Sequence, residues 1–412
     1  MIDQFYSPGV KLGHLRCGAL ASHIDGFADH LSSQGYTNQT ARLKIRLAAD
    51  LSAWLSRRHL RANDVEDEQV DLFLKARRKN LSLQRGDGLS LIQLIHYLRE
   101  VGAISVPCMA ICDSPTDRLI RAYAGFLVEQ RGLCQSTLGT YLPIVRHFLE
   151  VRFGVGKLAL NKLGVSDITD FIFQSSSTGS LKRVQLSASA VRSFLGFLAQ
   201  EGKVTTNLAA SVPTVANWRL AELPQFLEPA QVEKLLRSCN QKTQTGRRDY
   251  AVLLLLARLG LRAGEVVHLT LESINWEAGE ILIRGKSARE DRLPLPPDVG
   301  RALAAYLKQD RPTCSCRRVF IRMMAPRQGF SNSVAVCDIV RRALTRAGLH
   351  PQQKGAHLLR RSLATKMLRQ GVSLAQIGEV LRHQMVQTTQ IYAKVDLVAL
   401  RALALPWLGG VQ

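Results

Sequence analysis

The chain reads as mainly α-helical with one small antiparallel β-sheet, and three observations carry that reading. Apolar residues recur at intervals of three and four over most of the 412 residues, the mark of helices that bury one face. One stretch, Ile274 to Leu295, instead alternates and is broken at Glu277-Ala278-Gly279 and at Lys286-Ser287-Ala288-Arg289, which predicts two or three antiparallel strands. From Asn207 to Leu227 the sequence turns polar and is punctuated by Pro213 and Pro224, as an interdomain linker would be.

Taken in order, helical spacing first appears in Ile24-Phe27-Ala28-Leu31, Leu43-Leu47-Leu51-Leu55 and Leu91-Leu94-Ile95-Leu98, so residues 1–106 are expected to form a helical domain. A second set follows over 112–207 and looks like the first. Tyr97-Leu98 with Gly102-Ala103-Ile104 is matched by Phe197-Leu198 with Gly202-Lys203-Val204. Asp71-Leu72-Phe73-Leu74 is echoed by Asp170-Phe171-Ile172-Phe173, and Gly35 to Thr40 by Gly132 to Thr137. The spacing suggests a duplicated unit of four or five helices. Residues 208–227 form the linker and 228–395 a further domain. In it Pro229 opens a helix through Leu236, and Asp249 to Leu259 is apolar enough to be core. Helices are also expected at Val299 to Lys308, Val334 to Ala347, Leu358 to Gln370 and Leu374 to Leu381, the last capped by Ser373. Residues 396–412 make a tail with Leu397, Leu400, Leu403 and Leu405 before Pro406-Trp407.

Lys plus Arg number 55 against 33 Asp plus Glu, a formal charge of +22. That balance suits a polyanion, most simply nucleic acid, and is extreme for an enzyme of small molecules. No apolar run approaches the roughly 18 residues of a spanning helix, and Met1-Ile2-Asp3-Gln4-Phe5 lacks the basic start and apolar core of a signal peptide. A cytoplasmic protein that does not bind membranes is expected. Its eight cysteines are then reduced thiols. Cys108 with Cys112 and Cys314 with Cys316 are the close pairs, and neither has a second pair at zinc-site spacing, so no structural metal is expected.

The chemistry concentrates between Gly355 and Val395. His357 and Arg360 are three apart and leave a helix on one face. His383 follows Leu381-Arg382, and Tyr392 stands nine residues beyond it, with Thr388-Thr389 between them suited to a turn or a helix start. A phenol, two imidazoles and a guanidinium, with no carboxylate, are an odd set for hydrolysis and a natural one for phosphate. Guanidinium groups bind phosphate oxygens bidentately, and a tyrosine hydroxyl becomes a covalent nucleophile once a neighbour takes its proton.

This run resembles the C-terminal motif of the tyrosine recombinases, the phage-integrase family: His-x-x-Arg, then His, then Tyr nine residues later. Upstream, Leu261-Arg262-Ala263-Gly264-Glu265 resembles the family's Leu-Arg-x-x-Glu box. Ile281 to Lys286, followed by Arg292-Leu293-Pro294-Leu295, resembles the hairpin that carries its catalytic lysine. The resemblance covers about residues 112–395. It implies helical DNA-binding domains ahead of a recombinase catalytic domain, with Tyr392 attacking a backbone phosphorus to give a 3′-phosphotyrosyl link and expel a 5′-hydroxyl. It further implies charge stabilisation by Arg262, Arg360 and His383, Lys286 as general acid, His357 as proton partner of the tyrosine, and Glu265 orienting the arginines, with no metal or other cofactor. Region 112–207 resembles the family's core-binding domain, in which Arg146, Lys182, Arg183 and Arg192 would touch the DNA backbone, as would Arg289 and Arg292 of the hairpin. Two positions depart from the pattern: Arg382 stands where the family usually has Gly, and Arg361 where many members have His. Either would change packing at the pocket rim without removing a catalytic group.

The implied partners are double-stranded DNA recombination sites, bound by a homo-tetramer that is monomeric or dimeric otherwise, with accessory or companion recombinases, in the cytoplasm on a bacterial nucleoid. The tail either packs within its own chain or docks on a neighbouring protomer, and residues 1–106 contact DNA or a protomer. The long N-terminal region suits an integrase or transposase of a mobile element better than a minimal chromosome-dimer resolvase. Two other classes stay open: a type IB topoisomerase using the same pocket, and a DNA-binding accessory protein without activity.

Overall fold

The computed structural model describes residues 2–6, 12–80, 86–105, 114–154, 158–204, 207–215, 223–285 and 290–395. The chain divides into two compact units, Pro107–Arg219 and the remainder. The described helices, three-stranded sheet and short 3-10 turns give the mainly α class with a small antiparallel sheet. No described helix is long and apolar enough to cross a membrane.

The N-terminal helices are α1 (Ala21–Ser33), α2 (Asn38–Ser56), α3 (Asp67–Asn80) and α4 (Asp87–Glu100). Thr37 caps α2 by accepting from the Thr40 N–H, one of the donors a helix start leaves unpaired. Ile24, Phe27, Leu31, Ile45, Leu51, Leu55, Leu91, Leu94 and Leu98 are buried in one core. Leu43, read from the sequence as part of that stripe, is 54% exposed. Leu47, Leu51 and Leu55 of the same stripe are buried as expected, and the buried face of α2 also takes in Ala41, Ile45, Ala48 and Ser52, small residues among them that a rule restricted to large apolar side chains overlooks.

The Pro107–Arg219 unit holds α5 (Pro115–Glu129), α6 (Gln135–Phe153), α7 (Val165–Thr178) and α8 (Leu181–Gln200). Tyr123, Phe126, Phe194 and Phe197 form an aromatic centre, worth more than its area alone because edge and face charges attract. Helix α4 and helix α8 end alike. Gly102 and Gly202 adopt φ +69° and +64°, the Ala103 and Lys203 N–H groups donate back to Leu98 O and Leu198 O at 2.8 and 2.9 Å, and Ile104 and Val204 are buried.

The C-terminal region begins with α9 (Pro229–Arg237), α10 (Gln244–Arg258) and α11 (Ala263–His268). Helix α10 is buried on every side from Ala251 to Ala257. It starts a turn and more before the expected Asp249, because Thr243 caps it and the buried Arg248 and Asp249 satisfy one another at 2.7 Å. The sheet follows, β1 (Ile274–Asn275), β2 (Glu280–Arg284) and β3 (Glu290–Pro294), antiparallel in that order with Ile281 opposite both Ile274 and Leu293. Then come α12 (Pro297–Gln309), α13 (Ser333–Arg346), α14 (Ala356–Arg369), α15 (Leu374–Val380) and α16 (Val386–Gln390), closed by a 3-10 turn at Ile391–Val395. Ser373 caps α15 as expected, accepting from the Gln376 N–H. Helices α12, α13 and α14 all pack on α10, and α14 in turn packs on α15 and the closing 3-10 turn, where Ala364, Ile377, Leu381 and Tyr392 form a smaller cluster. The tail at 396–412 lies outside the described residues, as does the β2–β3 tip at 286–289.

Candidate active site

Helix α10 ends where Gly260, at φ +58°, turns the chain back on itself. Glycine is required there twice over: the backbone is left-handed, and a Cβ would stand 2.7 Å from Leu381 Cδ2 and 3.0 Å from Leu363 Cδ2. The turn delivers Leu261 into the core, fully buried, and sets Arg262 at the N-cap of α11. Glu265, three residues on, closes the first turn: its Oε2 accepts the Arg262 backbone N–H and its Oε1 the Arg262 Nη1, each at 2.8 Å.

Helix α14 supplies the second arginine. His357 in its first turn is exposed, whereas Arg360 is only 3% exposed. The Arg360 guanidinium donates to the Gly260 carbonyl through Nη1 and to the Leu381 carbonyl through Nη2. Arg262 Nη2 donates to the next carbonyl, that of Arg382, at 3.2 Å. Both arginines are thus fixed by backbone oxygens, and each keeps further N–H donors of its five.

The turn after α15 leads to His383, whose Nδ1 lies 2.7 Å from the hydroxyl of the buried Thr389. Its ring stacks on the Tyr392 phenol, 6.5 Å between centroids and 9° between planes. Tyr392 is 3% exposed, packed with Ala364, Ile377 and Leu381. Among the described residues its hydroxyl makes no hydrogen bond.

Positive charge dominates. Burial first, then Arg262 and Arg382, push the Arg360 guanidinium down to about 9, still cationic at neutral pH. Burial and the cations Arg360, Arg262 and Arg382 push the His383 imidazole down to about 4. His357 lies below its ordinary value through lost hydration on its inner side and the nearness of Arg360, Arg361 and Arg262. Burial raises the Tyr392 hydroxyl, with Arg360 and Arg361 opposing it. For Glu265, burial alone would raise the carboxyl, but Arg382 and Arg262 together outweigh it and hold the group below the usual carboxylate range. At neutral pH the pocket therefore carries three guanidinium cations, two neutral imidazoles and a protonated phenol, with the Glu265 carboxylate, shared by Arg262 and Arg382, as the counter-charge.

The structure brings Arg262, Glu265, Arg360, His383 and Tyr392 together, with His357 beside them. Lys286 and Arg289 fall outside the described residues, and Arg292 is 76% exposed on β3, 3.8 Å from Glu280. In the Pro107–Arg219 unit, Arg146 pairs with Asp117 at 2.7 Å, and Lys182 and Arg183 are exposed in the first turn of α8. Arg192 Nη2 donates to the Val212 and Pro213 carbonyls while lining, with Lys182, a groove of about 310 Å³.

Two site residues escaped the sequence. Arg382 is only 7% exposed, sits at φ +55°, a conformation costing a non-glycine residue about 1 kcal/mol, and donates Nη2 to Glu265 Oε2 at 2.8 Å. Thr389 orients the His383 ring. The signal for the first was its departure from the glycine of the resembled pattern; for the second there was none beyond its place between His383 and Tyr392.

Residues 225–397 match the Phage integrase family, and residues 120–202 the Phage integrase N-terminal SAM-like domain. The chain is 43% identical over 397 residues, 96% of each protein, to a protein of Sinorhizobium fredii (strain NBRC 101917 / NGR234) named as a candidate integrase/recombinase, y4rA. It is 30% identical over 297 residues, 69% of this chain and 96% of the relative, to the tyrosine recombinase XerD of Listeria monocytogenes serotype 4b (strain F2365). Among solved structures, the XerH site-specific recombinase bound to a palindromic difH substrate shares the fold over 71% of this chain and 84% of that one, with a TM-score of 0.55 at 19% identity. The chain belongs to the phage integrase family, whose members are tyrosine site-specific recombinases.

Proposed function

We propose that the chain cleaves and rejoins DNA strands through a 3′-phosphotyrosyl intermediate, for the integration, excision or transposition of a mobile element. One observation carries the reading: Arg262, held by Glu265 and the Arg382 carbonyl, and Arg360, held by the Gly260 and Leu381 carbonyls, converge on the turn that leads to His383, whose ring stacks on the Tyr392 phenol. The phenol oxygen attacks phosphorus, the bond to the 5′-oxygen breaks, and that oxygen leaves as a hydroxyl. Charge gathering on the non-bridging oxygens is met by Arg262, Arg360 and His383, donors placed before the reaction begins. The phenol needs a base, since burial raises its proton affinity, and His357, neutral at pH 7, is the acceptor. Lys286, by its place in sequence between β2 and β3, protonates the leaving 5′-oxygen. A second 5′-hydroxyl attacking the phosphotyrosine completes the exchange, so bond energy is conserved within the covalent link.

Double-stranded DNA is the substrate, in keeping with the charge of +22, and four protomers acting on two paired sites supply one tyrosine for each strand exchanged. The shared endings of α4 and α8 support reading residues 1–106 as a second copy of the core-binding unit at 112–207, ahead of a catalytic domain at 228–395. The mobile-element role is supported by the integrase/recombinase name of y4rA. Its test is a supercoiled plasmid carrying two copies of the DNA that flanks the gene. Wild type is expected to yield recombinant circles and Tyr392→Phe none. Relaxation without recombinants would assign the pocket to a topoisomerase instead.

A further inference from the structure

Arg382 holds a backbone conformation that suits glycine, φ +55°, yet its side chain is buried rather than spread in solvent, where a general DNA-binding charge would lie. A buried cation is unfavourable unless it is paired, and this one is. Its Nη2 donates to Glu265 Oε2 at 2.8 Å and its Nη1 to the Val380 carbonyl at 3.2 Å. The same carboxylate grips Arg262 through Nη1 and the backbone N–H. The left-handed turn itself offers two successive carbonyls, Leu381 to Arg360 and Arg382 to Arg262, and leads directly into His383. One turn, tied to α11 by the Arg382–Glu265 ion pair across 117 residues of sequence and by the Arg262 bond to its carbonyl, therefore seats three of the pocket's groups.

We propose that Arg382 is a positioning residue for strand cleavage: its ion pair with Glu265 fixes the turn that aims Arg262, Arg360 and His383 at the scissile phosphate. The inference rests on reading the pocket as a phosphoryl-transfer site. Arg382 touches no reacting atom in this account; it acts through Glu265 and through the carbonyl it presents. Glycine at this position would relax the backbone while releasing the turn, so stability and catalysis should part company. Misplacing catalytic groups by about 1 Å costs on the order of 100-fold in rate.

The experiment compares full-length wild type, Arg382→Gly and Arg382→Lys in single-turnover formation of the covalent adduct on nicked duplexes from the DNA flanking the gene, with affinity and thermal midpoint measured alongside. Arg382→Gly should melt close to wild type and bind DNA within about twofold, yet form adduct about 100-fold more slowly, and Arg382→Lys should recover at least a tenth of the wild-type rate. The proposal is overturned if Arg382→Gly cleaves within twofold of wild type, or if lysine does no better than glycine. Loss of the folded state in Arg382→Gly also overturns it, because the ion pair would then support the fold rather than the pocket. Failure of wild type itself to form adduct removes the phosphoryl-transfer reading and this inference with it.

Discussion

His383 shows how the pocket sets the charge of one side chain. Burial and three guanidiniums hold its folded-state value near 4, against about 6.5 in an unfolded chain. Between those values the unfolded chain binds a proton that the folded one refuses, so stability is complete above about pH 6.5 and is lost as pH falls towards 4. His357 is depressed in the same direction and shares the window; the depressed carboxyl of Glu265 adds its loss at lower pH. His383→Gln should therefore flatten part of the fall in thermal midpoint between pH 6.5 and 4.5, read by calorimetry, and an unchanged slope would contradict the charges described. At this scale residue types and their spacing drew attention to His357, Arg360, His383 and Tyr392, and the family resemblance then pointed to Arg262 and Glu265. Arg382 was legible as a departure and illegible as a partner, because its role depends on a φ angle and on a carboxylate 117 residues away.

Elements aim these residues through backbone detail. Gly260 ends α10, accepts Arg360 and lies against Leu381 and Leu363. Gly260→Ala forces a Cβ into a space of 2.7 Å at a left-handed φ, and should destabilise the protein by about 1–3 kcal/mol, measured by urea unfolding. Adduct formation should slow as well, since the Arg360 acceptor moves. Helices α9 and α12 to α15 were legible to within about two residues, because one buried face imposes its period on the sequence. The start of α10 was not: Gln244 to Arg248 is polar, and a capping threonine with a buried ion pair leaves no periodic trace. Leu43 was misjudged because Ala41, Ala48 and Ser52 share the buried side of α2 with its large apolar residues.

At the scale of the whole molecule, the N-terminal helices, the Pro107–Arg219 unit and the C-terminal region each bury a core of their own, and Tyr392 belongs to a smaller cluster with Ala364, Ile377 and Leu381. The excess of basic over acidic side chains, 55 against 33, suits a polyanionic ligand. In the proposed reaction the phenol oxygen of Tyr392 takes the DNA strand. Its direct measurement is covalent trapping in EDTA: wild type and Tyr392→Phe, each incubated with nicked duplexes tiled across the DNA flanking the gene, then resolved in SDS and mapped by peptide mass. The predicted result is an SDS-resistant adduct from wild type alone, on the peptide containing Tyr392. An adduct that persists in Tyr392→Phe, or none from a wild type that binds one duplex specifically, would contradict it.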